Sequence, residues 1–172
     1  MRRLLLIVAL VCATSISQAG TDDAKLGIRL RIKREAYSLG SNIELEIVRE
    51  NIGHNSVLVP RWWGWGATRT DILMFDASGH EVRTDFLADE LPPLPQPYDF
   101  VLLDPGQFVG TRLTGRAKEF VNKPGDYVFV VEYTSYLSED YARQLMKMPD
   151  VPFWSRERGP VTSNKIRVHI TR

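Results

Sequence analysis

The stretch that most narrows what this chain can become is Lys123-Pro124-Gly125-Asp126-Tyr127-Val128-Phe129-Val130-Val131-Glu132-Tyr133, a turn that runs into the longest apolar strand in the sequence. Pro followed by Gly suits the two central positions of a type II turn, since Pro presets the first φ and Gly accepts the positive φ that follows. Beyond it, Tyr127, Phe129, Val131 and Tyr133 fall on one face of an extended chain, and Val128 and Val130 on the other. A strand apolar on both faces belongs inside a sheet, not at its edge.

The amino terminus reads as an export signal over residues 1–19. Arg2 and Arg3 supply the charged start, residues 4–11 the apolar segment, and Ser17-Gln18-Ala19 a small-x-small cleavage site before Gly20. The apolar run is shorter than the ~20 residues that a membrane-spanning helix needs. Val11 precedes Cys12 where lipoprotein processing wants a small residue. This predicts a mature chain of residues 20–172 forming one domain, which is exported to the periplasm or the medium. Of 172 residues, the loss of 19 leaves 153, enough for a hydrophobic core without staples. Cleavage removes the sole cysteine and two arginines, taking the formal charge from +1 to −1. Disulfides and thiolate metal sites are thereby excluded from the expected mature domain, and nucleic acid is not an expected partner.

Alternation then marks the strands. Over residues 26–33, Ile28, Leu30 and Ile32 alternate with Arg29, Arg31 and Lys33; over residues 43–47, Ile43, Leu45 and Ile47 alternate with Glu44 and Glu46. If these two pair antiparallel, bases meet acids across the ladder and help set register. Further strands are expected at 56–59, 70–75, 81–86, 98–103, 108–113 and 164–171. Asp76-Ala77-Ser78-Gly79 is a hairpin of the type I plus glycine-bulge kind, which accounts for its likeness to an aspartic-protease motif. Asp104-Pro105-Gly106-Gln107 repeats the Pro-Gly turn chemistry. Residues 91–97 hold four prolines and favour extended polyproline II backbone. In the insertion at 137–162, Ser138 caps a short helix with Glu139 and Asp140 in its first turn, Tyr141, Leu145 and Met148 on one face, and Pro149 as its stop.

Turn signals at near-regular spacing and roughly seven or eight short strands describe an all-β, antiparallel sandwich with one short helix in the last inter-strand insertion. The residues 37–51 with their Gly40-Ser41-Asn42-Ile43 entry, Leu103-Asp104-Pro105-Gly106, Pro124-Gly125-Asp126-Tyr127 and Ser163-Asn164-Lys165-Ile166 resemble an immunoglobulin or fibronectin type III domain, and more loosely the small bacterial proteinase-inhibitor sandwiches. The resemblance implies a tyrosine corner at Tyr127. It departs from antibody domains at Phe129, which stands where their strand-F cysteine would be.

For function, three of the four tryptophans crowd into residues 62–65, flanked by Gly64 and Gly66. Trp62, Trp63 and Trp65 form either an exposed platform for a partner or a sugar, or in part the buried tryptophan that sandwiches commonly keep. Phe153, Trp154 and Arg156 join that platform if both insertions lie at one end of the sandwich; otherwise Trp154 covers the helix. His54, His80 and His169 lack metal-ligand spacing, and Asp89-Glu90 and Glu139-Asp140 sit in a loop and a helix start, so no metal, cofactor or catalytic group is expected. The leading expectation is a non-enzymatic exported domain that engages another exported or envelope protein through aromatic loops. Proteinase inhibition is one form of it, with residues 91–97 or the second insertion in a protease cleft. The alternative is a carbohydrate-binding module, and a hydrolase whose residues converge only in space is a third reading.

Overall fold

The computed structural model describes residues 24–61, 63, 68–82, 95–147 and 151–172. The expected export signal at 1–19, Trp62, Trp65, most of the strand expected at 81–86 and most of the proline-rich segment lie outside the described residues. The strands are β1 (Leu26–Ile32), β2 (Ala36–Ser38), β3 (Asn42–Asn51), β4 (Val57–Pro60), β5 (Thr68–Asp76), β6 (Phe100–Leu103), β7 (Phe108–Arg116), β8 (Gly125–Ser135), β9 (Val161–Thr162) and β10 (Ile166–Thr171). Among the described residues, two helices, α1 (Ala117–Phe120) and α2 (Glu139–Met146), and short 3-10 turns complete the regular structure. Beyond the expected strands, the fold adds the short β2, β9 and α1.

Among the described residues the two larger sheets have the orders β1-β3-β7 and β2-β10-β8-β5, with β9 also on β8, and β4-β6 forms a third. All pairings between these strands are antiparallel except β2 with β10. The sheets face each other across a core in which Ile28, Leu30, Ile43, Leu45 and Ile47 of the first meet Met74, Tyr127, Phe129, Val131, Tyr133, Val168 and Ile170 of the second. Each such side chain, fully buried, contributes about 1.5–3 kcal/mol. The chain is thus an all-β sandwich, with β8 interior between β10 and β5 as its two-sided apolar pattern requires.

The outer face of the first sheet carries the expected charge ladder. Arg31 lies opposite Glu46, and Glu46 opposite Arg112. Ion pairs run from Arg29 to Glu50, Arg31 to Glu46, and Arg112 to both Glu44 and Glu46. All are surface pairs, so they specify register more than they add stability.

The β3–β7 ladder continues into β4–β6 after an irregular break: five residues, 52–56, separate the strands on one side and four, 104–107, on the other. Asn51, wholly buried, organises this break. Its amide donates to the carbonyls of Asn55 and Leu103 and its oxygen accepts from the Gly53 amide. Here Asp104-Pro105-Gly106-Gln107 forms the type II turn expected of it, with Gly106 at φ +79° and the Gln107 amide bonded to the Asp104 carbonyl at 2.9 Å.

The turn before β8 differs from expectation. Gly125 has φ +155°, far from the value near +80° of a type II turn, and already pairs with Ile170 as the first residue of the strand. Glycine is needed for that φ, but the chain is held by Tyr127, whose hydroxyl donates to the Lys123 carbonyl at 2.8 Å. That is the tyrosine corner. Phe129, fully buried, packs against Phe120 with ring centroids 6.1 Å apart, filling the space the resemblance assigns to a cysteine.

Candidate functional site at the aromatic end of the sandwich

Strand directions place the two insertions at the same end. β4 ends at Pro60 and β5 begins at Thr68, opposite Ser135 at the close of β8; β6 begins at Phe100, opposite Pro60. Arg61 and Trp63, the 3-10 turn Pro97–Asp99 that precedes β6, and the segment leading to α2 therefore share one rim.

The second insertion is built into the body. Pro152 and Trp154 bond to both backbone groups of Leu58, which adds residues 152–154 as a parallel rung beside β4. Phe153 is 1% exposed and meets Phe100 edge-on at 5.6 Å. Leu58, Phe100, Ala142 and Phe153 form a second small core against which Leu145 and Met146 of α2 pack. Ser138 accepts from the Tyr141 amide, the cap expected of it. Tyr141, expected on the docking face of the helix, is exposed, and Ala142 takes that place.

This corrects the expected platform. Phe153 and Trp154 are core residues, Trp154 at 8% exposure inside the main cluster with Arg158 over its ring at 5.7 Å. Neither ring faces solvent, because the 152–154 segment serves as a strand beside β4. Nor does that stretch project as an extended loop for a protease cleft. Arg156 is exposed and pairs with its neighbour Glu157 at 2.9 Å.

Trp63 stands where the first insertion leaves the sheet, and its anchor is Arg49. This arginine continues the inward row Ile43, Leu45 and Ile47 of β3 and is 0% exposed. Its guanidinium lies 4.0 Å from the Trp63 ring centroid and 4.8 Å from that of Tyr133. One terminal nitrogen donates to the Tyr133 hydroxyl at 2.9 Å and the other to the Arg61 carbonyl at 3.2 Å. Nε has no partner, and no carboxylate among the described residues pairs with the group. Burial pulls the Arg49 pKa below the ordinary guanidinium value, against the attraction and hydrogen bond of Tyr133. Burial likewise pushes the Tyr133 pKa up, opposed by Arg49. Among the described residues, two aromatic faces and a carbonyl stand where a counter-ion would, each ring worth roughly 0.5–2 kcal/mol.

The result is a loop root held at two points, by a hydrogen bond to the Arg61 carbonyl and by stacking on Trp63, with Trp63 left half-buried. The Arg61 amide also bonds to the Asp99 carbonyl, so the adjacent Tyr98, 74% exposed, is fixed on the same rim. Tyr136, half exposed, follows Ser135 and interacts with Arg69 at the start of β5. Arg49, Tyr98 and Tyr136 were missed by sequence reasoning. For Arg49 the signal was present: a charge in phase with three inward aliphatic residues.

A shallow groove of about 450 Å³ follows the outer side of β1, lined by Gly27, Arg29, Arg31, Glu50, Ile52 and Asn164, with Arg29 committed to Glu50. Among the described residues, no three His, Cys, Asp or Glu side chains gather as a metal set. His80 lies 3.8 Å from Asp76 and His169 2.6 Å from Asp126, both on the surface. Among these residues no helix is long and apolar enough to cross a membrane.

The sequence matches no protein-family model and no curated protein. Among solved structures, the chain is similar over 87% of its length to 90% of a CARDB domain from Pyrococcus furiosus, solved in complex with di-metal ions, at 10% identity and a TM-score of 0.41. It is similar to 49% of the sporulation control protein Spo0M from Bacillus subtilis at 8% identity and a TM-score of 0.42, over 86% of its own length. A β-glucosidase from Erythrobacter marinus matches 86% of the chain at 12% identity and a TM-score of 0.41, but the chain spans only 16% of that enzyme. Similarities this distant carry no functional weight.

Proposed function

We propose that this protein is a non-enzymatic exported domain that binds another exported or envelope protein through the aromatic rim around Trp63, Tyr98 and Tyr136. The observation that carries this reading is the anchoring of Trp63 and the Arg61 carbonyl by a fully buried Arg49. A buried cation that no described carboxylate pairs costs stability, and what it holds here is the Arg61 carbonyl and the Trp63 ring. Tyrosine and tryptophan present large, rigid contact area at low entropy cost, and such residues dominate interface energetics. The carbohydrate-binding alternative is weakened by the burial of Trp154 and Phe153, and by the stacking of one face of Trp63 on Arg49.

The test compares wild-type protein with Trp63→Ala and Tyr98→Ala as immobilised bait for an envelope extract, beside a glycan array and a panel of serine, cysteine and metalloproteinases. A protein retained by wild type and reduced at least tenfold with both variants, which remain folded at the assay temperature, is the expected result. Retention that both variants preserve would sink the proposal. Glycan binding lost with Trp63→Ala would establish the carbohydrate reading, and inhibition of one proteinase would make that enzyme class the partner.

A further inference from the structure

The two edges of the first sheet are treated differently. On β1, the residues whose backbone points away from β3 are Leu26, Ile28, Leu30 and Ile32, and the Leu30 amide and carbonyl are both taken by the side chain of Asn164, at 2.8 and 3.1 Å. The other edge is β7. Its bonds to β3 fall on odd-numbered residues, a phase set by the Asn51 amide on the Gln107 carbonyl at one end and the Ala117 amide on the Ser41 carbonyl at the other. The amides and carbonyls of Phe108, Gly110, Arg112 and Thr114 consequently point outward, and among the described residues no bond to them occurs. The next in this series, Arg116, has its amide closed by Glu119 at 3.0 Å. Phe108 is 67% exposed, and Leu113 is also exposed although it lies on the inward-facing row.

An open edge with exposed apolar side chains is a template for another strand. Self-complementarity identifies that strand. If β7 meets its own copy antiparallel about a two-fold axis through Thr111, the four open residues pair among themselves: Phe108 with Thr114 of the copy, and Gly110 with Arg112. These four pairs make about eight hydrogen bonds, two for each pair. In the same register Val109 covers Leu113 on the inner face and Thr111 meets Thr111. Gly110, without a side chain, leaves room for the arginine opposite. Shifting the axis to Arg112 would set two arginines directly against each other, which is destabilising.

We propose that the protein associates as a two-fold dimer through β7, giving a continuous six-stranded sheet with Thr111 on the axis. This surface lies outside the aromatic rim and is independent of the function proposed for it.

Residues facing each other as a non-hydrogen-bonded pair have Cα atoms about 4.5 Å apart, within disulfide reach. With the only cysteine removed by Cys12→Ser, Thr111→Cys should give a disulfide dimer under mild oxidation, while Arg112→Cys, two residues out of register with its copy, should crosslink at least tenfold less. Sedimentation velocity over a hundredfold concentration range should show monomer and dimer in wild type. Thr114→Pro removes one outward amide without touching the β3 ladder, and should weaken dimerisation at least tenfold. A monomer throughout that range, absence of the Thr111→Cys dimer, or equal crosslinking at 111 and 112 would overturn the proposal.

Discussion

The inward row of β3 runs through two kinds of interior. Ile43, Leu45 and Ile47 pack into a dry core with Phe129 and Val131, whereas Arg49 and Asn51, equally buried, bring a guanidinium and an amide inside. The aliphatic part holds the sheets together by displacing water. The polar part fixes chain paths: Asn51 satisfies the broken backbone between β3 and β4, and Arg49 holds the root of the tryptophan loop. Polar interiors specify geometry at a cost in stability that aliphatic ones do not carry.

That contrast yields predictions of graded size. The largest effect belongs to the dry region: Phe129→Ala should cost about 3–5 kcal/mol in denaturant unfolding, since it empties the centre of the core. A loss below about 1 kcal/mol would show that the core closes around the gap and that the two regions do not differ.

Arg49→Met should be milder. It removes the buried charge and keeps much of the volume, but leaves the Tyr133 hydroxyl and the Arg61 carbonyl without their donor, so stability should stay within about 1 kcal/mol of wild type. The expected change is local, with Trp63 fluorescence shifting to the red and protease cleavage in residues 61–67 accelerating. A loss as large as that of Phe129→Ala would make Arg49 a structural keystone and erase the distinction.

The smallest effect concerns pH. Because burial raises the Tyr133 pKa above its ordinary value near 10, the folded state holds the neutral phenol. That contribution is complete below the unfolded pKa of about 10 and is lost as pH rises through the folded pKa. Arg49 opposes the rise, so Arg49→Met should push Tyr133 higher still and steepen the alkaline loss. Spectrophotometric tyrosine titration alongside melting at pH 8 to about 11 measures both. An alkaline profile unchanged by Arg49→Met would break the coupling of the two residues.

Local pattern carried much of this fold. The alternation of residues 26–33 and 43–47 implied half-buried strands with complementary charges, and the observed register joins Arg31 to Glu46. The hairpin at 76–79 forms as its glycine demands, with Gly79 at φ +80° and its amide bonded to Asp76. The aromatic site was legible only in part. Trp154 looked like a surface aromatic because nothing local announces that residues 152–154 become a rung beside β4, and Tyr98 looked like strand because the 3-10 turn depends on Arg61 across the ladder.

By itself the sequence determined what depends on neighbours along the chain: strand periodicity, the Ser138 cap, the turns at Gly79 and Gly106 and the Tyr127 corner, all set by φ, ψ and side-chain reach over a few residues. Tertiary structure alone decided which aromatics face water, that Arg49 is stacked between two rings, and that Asn164 closes one sheet edge while β7, among the described residues, stays open. These depend on residues far apart in sequence, and burial is a property of the packed assembly.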